Sequence, residues 1–193
     1  GPRHSWTGPV IVKSDLNFGG APERALMPAG PEARSRVRRA ARRVAARLTG
    51  KMEIDDWTNY RVFQRAADVP PSVFERHDVV VERFLPECEN GLFHLRVFQA
   101  LGDRWTCTRL ASPEPVFKAS MSVRAEAIEP SSEVDTWRRR FHLDYGKLDY
   151  LVHDGRPVLI DVNKTTGASP SMADAPLEAM RRRLADGLYS YFA

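Results

Sequence analysis

Hydrophobic and polar positions alternate most cleanly between Lys147 and Asn163. In this stretch, KLDYLVHDGRPVLIDVN, the residues Leu148, Tyr150, Val152, Val158, Ile160 and Val162 are even-numbered, while Lys147, Asp149, Asp161 and Asn163 are odd. Alternation of period two predicts two β-strands with one apolar and one charged face. The break around Asp154-Gly155 predicts a hairpin. A two-residue loop would pair even positions with odd ones and mix the faces, so an odd-length loop, Asp154-Gly155-Arg156, is expected. That register sets Asp149 opposite Asp161 and Lys147 opposite Asn163. Like charges directly opposite one another destabilise a sheet, so something positive is expected between them. Leu151 and Leu159, on the charged face, predict that this face is partly buried.

The same reading gives the remaining elements. GPVIVK (8–13) predicts a short buried strand ending at Lys13, followed by a loop that carries the pair Gly19-Gly20. Residues 30–51 predict a helix: Pro31 and Glu32 suit its first turn, and Gly50 its end. Val37, Ala40, Ala41, Val44, Ala45 and Leu48 form its narrow apolar stripe. Strands are predicted over 60–66 and 78–85, and a hairpin over 92–111 turning at Gly102-Asp103. A helix is expected within 130–146, opening after Ser131 or Ser132. The loop 164–171 leads to a final amphipathic helix over roughly 174–192. Strands dominate the first two thirds with helices interleaved, which predicts the α+β class.

Composition narrows the function classes. At 193 residues and 42% hydrophobic content, the chain can bury one domain or two small lobes. No apolar run approaches the ~20 residues that span a bilayer, and the start GPRHSWTGP has no signal-peptide core. A cytoplasmic protein without a membrane partner is expected. The leading Gly-Pro fits a protease scar from an expression tag. Cys88 and Cys107 stand alone, which argues against a disulfide framework or zinc site, and the five His residues show neither metal spacing nor a nucleophile constellation. The net charge of +4 is local: Arg34, Arg36, Arg38, Arg39, Arg42, Arg43 and Arg47 carry +7, and the rest of the chain is left at −3. Seven arginines on a helix could grip nucleic-acid phosphates. No base-reading motif accompanies them, so a solvated face is the expectation and nucleic acid is not the expected partner.

Four pieces, in order, resemble the ATP-grasp superfamily over about residues 8 to 170. VIVKSDLNFGG is similar to its strand, lysine and glycine-rich loop, and VVVERFLPECE to its hinge. HLRVFQALGDR is similar to the strand pair that follows. GKLDYLVHDGRPVLIDVNKTTG resembles its carboxylate–Asn metal hairpin, the most specific of the four. The style is that of the D-alanine–D-alanine ligases and the ribosomal-protein glutamate ligases. The resemblance implies an ATP-grasp fold of two α+β lobes whose antiparallel sheets clasp the nucleotide. Residues 1–85 would form the smaller lid lobe and 86–193 the larger one, with the hairpin and C-terminal helix.

The resemblance also implies a site. Asp149, Asp161 and Asn163 would hold Mg2+, expected as two ions, on the triphosphate of ATP, since magnesium takes a few hard oxygen ligands and keeps phosphates and waters. Lys147 would neutralise the transferring phosphoryl group. Lys13 and the backbone of Gly19 and Gly20 would bind phosphates. Glu82 and the backbone of Arg83, Phe84 and Leu85 would meet the adenine edge, and Glu89, or else Glu87, the ribose hydroxyls. Arg96 would bind a phosphate or a carboxylate substrate; Lys118, Arg140 and Lys164 are lesser candidates of that kind. The implied activity is an ATP-dependent carboxylate–amine ligase that forms an amide or peptide bond through an acyl phosphate. Its substrates would be a small-molecule or peptide carboxylate and an amine. The alternatives are a phosphotransferase of the same fold and a non-catalytic nucleotide- or nucleic-acid-binding module. Family members carry a further N-terminal domain ahead of the first strand, which would here be missing or supplied by a partner chain.

Overall fold

A computed structural model describes residues 6–15, 60–166 and 175–192 of the chain. Gly19, Gly20 and the arginine-rich segment 30–51 lie outside them. The fold is α+β, and every strand pairing among the described residues is antiparallel. The chain divides into two compact units, Gly1–Leu85 and Pro86–Ala193.

In the first unit, strand β1 (Val10–Ser14) lies between β2 (Arg61–Phe63) and β3 (Val79–Arg83). Alternation works as the sequence suggests: Val10 and Val12 turn inward and pack with Val69 and Val73. Val73 comes from a short helix, α1 (Pro71–Phe74), which the pattern did not predict; Pro71 occupies its first turn, where a missing N–H costs nothing. The strand expected over 60–66 shrinks to three residues.

The second unit is built on a six-stranded sheet of order β7 (Arg124–Ala127), β6 (Arg104–Ser112), β5 (Leu92–Leu101), β8 (Tyr145–His153) and β9 (Arg156–Asn163), with β4 (Glu87–Glu89) paired to the start of β5. β6 returns from β5 at Gly102-Asp103 as expected, and β7 adds an edge. Helix α2 (Ser132–Arg140) opens after Ser131, with Glu133 and Asp135 in its first turn and three arginines in its last, matching the helix dipole. Val134 and Trp137 press it onto Phe98, Cys107, Leu148 and Tyr150, the main core. The single C-terminal helix expected is two pieces: α3 (Ala175–Ala185) and a 3-10 segment, Asp186–Tyr191. The break has a steric reason. A side chain on Gly187 would strike the Leu101 carbonyl, and one on Gly102 would strike Gly187 and Ser190, so two backbones touch there. Tyr191 secures the contact by donating to the Asp144 carbonyl and accepting from the Gly102 N–H.

The hairpin β8 (Tyr145–His153) and β9 (Arg156–Asn163) forms, with one correction. His153 pairs with Arg156, so the loop has two residues, not three. Asp154 and Gly155 both have positive φ, 49° and 74°, the twist-matched conformation that two-residue hairpins prefer. The register slips between Asp149 and Tyr150, leaving Ile160 as a bulge, and the expected facing pairs, Asp149–Asp161 and Lys147–Asn163, are restored. The consequence for the faces is specific. Leu159, opposite Tyr150, packs on the core, whereas Val158 shares the carboxylate face with Leu151. The even-numbered apolar wall therefore holds along β8 but breaks in β9.

Candidate functional site

Lys147, Asp149, Asp161 and Asn163 are brought together on one face of the hairpin, on the side of the sheet opposite α2. Strand β8 is central, flanked by β5 and β9, and this buries Asp149 to 9% exposure while Asp161, on the edge strand, stays exposed. The Lys147 ammonium donates to Asp149 Oδ2 at 2.6 Å. The other oxygen, Oδ1, is buried without a hydrogen-bond partner. Burial raises the Asp149 pKa above the ordinary carboxylate range; the charge and hydrogen bond of Lys147 oppose this, and the charge of Asp161 adds to it. Asp161 accepts from the Asn163 amide at 2.8 Å and from the Val162 backbone N–H at 3.0 Å. Gly146 sets the spacing below them, because a side chain there would collide with the Asn163 carbonyl.

The chemistry of this set suits a hard cation. It supplies two facing carboxylates and a neighbouring amide, and a buried carboxylate oxygen left unpartnered is costly unless something positive meets it. Magnesium needs no more protein ligands than this. Among the described residues no group of three or more His, Cys, Asp or Glu side chains is arranged to hold a metal, so a site here would draw on two acids and an amide. Two further residues share the face: Val97 lies opposite Asp149, and Gln99 opposite Lys147, across the β5–β8 ladder. Sequence reading missed both, although the alternation in LFHLRVFQAL held the signal once β5 was known to neighbour β8.

Arg96, Glu87 and Glu89 are not brought to this face. Arg96 is opposite Tyr150, and Glu87 opposite His94, which places them on the α2 side of the sheet. There Glu87 is buried and saturated. It accepts from Arg96 Nη2 at 2.8 Å and from the Val152 N–H at 2.7 Å, and Arg109 Nε lies 3.3 Å away. Burial alone would raise its pKa, but the Arg96 hydrogen bonds, the Val152 N–H and the charges of Arg96 and Arg109 outweigh it and lower it. Glu89 is exposed and pairs with Arg109, which also reaches Glu126. This strand, β4, was missed in the sequence. Its signal was Asn90-Gly91, the strongest two-residue hairpin dipeptide, with both φ values positive.

In the first unit, Lys13 and Glu82 form an ion pair at 2.8 Å on the face away from the small core. Arg83 lies over the Trp6 ring, and the Phe84 N–H donates to the Pro9 carbonyl at 2.9 Å. Leu85 is half-buried, Lys164 and Arg140 are exposed, and Lys118 is half-buried. No helix among the described residues is long and apolar enough to cross a membrane.

No protein-family model matches the sequence, and no curated protein is similar enough to count as a relative. Among solved structures, the chain is similar to the D-alanine–D-alanine ligase of Bacillus anthracis. The identity is 14% and the TM-score 0.43, with 95% of this chain and 54% of that one covered. The chain thus spans about half the length of that ligase.

Proposed function

We propose that the protein is an ATP-dependent carboxylate–amine ligase of ATP-grasp type. One observation carries the reading: Asp149 and Asp161 face each other on a single hairpin, and a buried oxygen of Asp149 has no partner. A pair of this kind is unfavourable by itself and becomes useful when a divalent ion neutralises it. Asp149, Asp161 and Asn163 would hold Mg2+, which when bound screens phosphate charge and orients the triphosphate. Lys147, on the same face, would offer its positive charge to the phosphoryl oxygens. Val97 and Gln99 would floor the site beside them. In the first unit, Lys13 would contact phosphate and Glu82 the adenine edge. Glu87 and Glu89 lie on the other face of the sheet and are engaged by Arg96 and Arg109, so the ribose hydroxyls are not assigned to them. Arg96 and Glu87 then serve the framework of the sheet. In this reading no residue needs to be a covalent nucleophile; the chain would supply charge and geometry.

The test combines binding with product analysis. MgATP should raise the melting temperature by mass action, about 2.7 kcal/mol at a hundredfold excess over Kd, and Asp161→Asn should remove the magnesium-dependent part. With carboxylate and amine substrates screened, the ligase reading expects an amide, ADP and phosphate. A stable phosphorylated product would instead identify a kinase, and no turnover with any pair would leave only a binding module.

A further inference from the structure

We propose that Lys147 is a stand-in cation. It holds Asp149 while the site has no metal, and releases it to a divalent ion only when a nucleotide's phosphates offer the ammonium a new partner. The inference deepens the reading above and rests on it.

Asp149 is buried, and a buried charge must be paired. The groups that face it are few. Asp161 has the same sign, Asn163 is tied to Asp161, and Val97 and Gln99 from β5 are uncharged. Among the described residues, Lys147 is the positive charge that bears on it, from two positions along the same strand and at 2.6 Å. The Lys147 side chain is itself only 24% exposed, so the pair is held out of bulk water, where its attraction is strong.

An ammonium at that distance and a divalent cation compete for one carboxylate. A metal approaching the open Oδ1 would find Nζ already seated on Oδ2, and the two cations repel. Asp161 is arranged in the same sense, since the Asn163 amide N–H group stands where the amide oxygen would have to turn toward a metal. Each acid thus already has an internal partner, although Asp149 Oδ1 stays open. Free magnesium gains little by entering, whereas a triphosphate gives Lys147 somewhere to go. Metal and nucleotide are therefore coupled positively, with Lys147 as the element that both bias.

The test measures Mn2+ binding, by the EPR signal of the free ion, to wild type, Lys147→Gln and Lys147→Arg without nucleotide. Lys147→Gln should bind Mn2+ about tenfold more tightly than wild type, within the usual range of a coupling between sites. Lys147→Arg keeps the charge and should behave as wild type. Adding Asp161→Asn to Lys147→Gln should abolish the gain, which locates the ion. Equal Mn2+ affinity in wild type and Lys147→Gln overturns the inference, as does a gain that survives Asp161→Asn. If Lys147→Gln fails to fold without metal, Mg2+ should restore its melting transition; failure of that rescue also counts against the proposal. The parent reading fails separately: if magnesium-dependent ADP binding by wild type is untouched by Asp161→Asn, the hairpin holds no metal and the inference falls with it.

Discussion

Glu87 ties four strands of the second unit together: it joins β4 to Arg96 of β5, Arg109 of β6 and the Val152 N–H of β8. Its pKa in the folded state is depressed. A carboxylate of that kind contributes stability that is fully present above its ordinary value of about 4.3, and that is lost as pH falls through the folded value. Wild type should therefore lose stability steeply below about pH 4, and Glu87→Gln should show a flatter profile in that window. At neutral pH the same substitution should cost about 3 kcal/mol, the lower end for a buried ion pair broken from one side. Matching acid profiles for the two proteins would show that Glu87 is not the titrating group. Asp161→Asn should act in the opposite direction. It removes a repulsion from Asp149 and leaves an exposed amide, so the metal-free protein should melt at the same temperature or slightly higher. A fall of several degrees would make Asp161 a structural residue.

At the scale of elements, the turns decide what could be read from the chain. The facing of Asp149 with Asp161 was legible, because a period-two pattern on both strands leaves one register that buries apolar residues. The route to that register was not: parity argued for three loop residues, while the chain uses the favoured Asp-Gly turn and repairs the phase with a bulge at Ile160. A pattern of polar and apolar letters records the final phase and not where it was adjusted. The fate of Arg96 and Glu87 was hidden for a related reason. Which face β5 turns to α2 depends on its pairing with β8, a contact about fifty residues away in sequence that no local signal encodes. Two glycines test these ideas. Gly155→Ala forces a side chain into positive φ in open space, and should cost about 1 kcal/mol without touching the site. Gly146→Ala should push β9 away at Asn163 and weaken magnesium-dependent nucleotide binding more than it lowers the melting temperature. If both variants lose binding in proportion to stability alone, Gly146 does not position Asn163.

For the molecule as a whole, each unit has its own small core, and the candidate residues divide between them: Lys13 and Glu82 in the first, the hairpin quartet in the second. Lys13→Ala should reduce the MgATP-induced rise in melting temperature while leaving the apoprotein folded; an unchanged rise would take Lys13 out of nucleotide binding. The strand order of the second unit also bears on how quickly it can assemble. β4–β5, β5–β6 and β8–β9 each join neighbours across two-residue turns, whereas β5 meets β8 only after a long excursion through β7 and α2. Hairpins close in microseconds, but bringing distant segments together carries a loop-closure cost that slows folding. The β5–β8 seam is therefore expected to be the late, rate-limiting event, with the hairpins competent before it. Phe98→Ala, at that seam, should slow refolding in a stopped-flow experiment, while a destabilising change on edge strand β7, such as Ala125→Gly, should chiefly speed unfolding. The carboxylate pair belongs to one of these local hairpins, so on this expectation its two negative charges meet before the sheet that buries one of them exists.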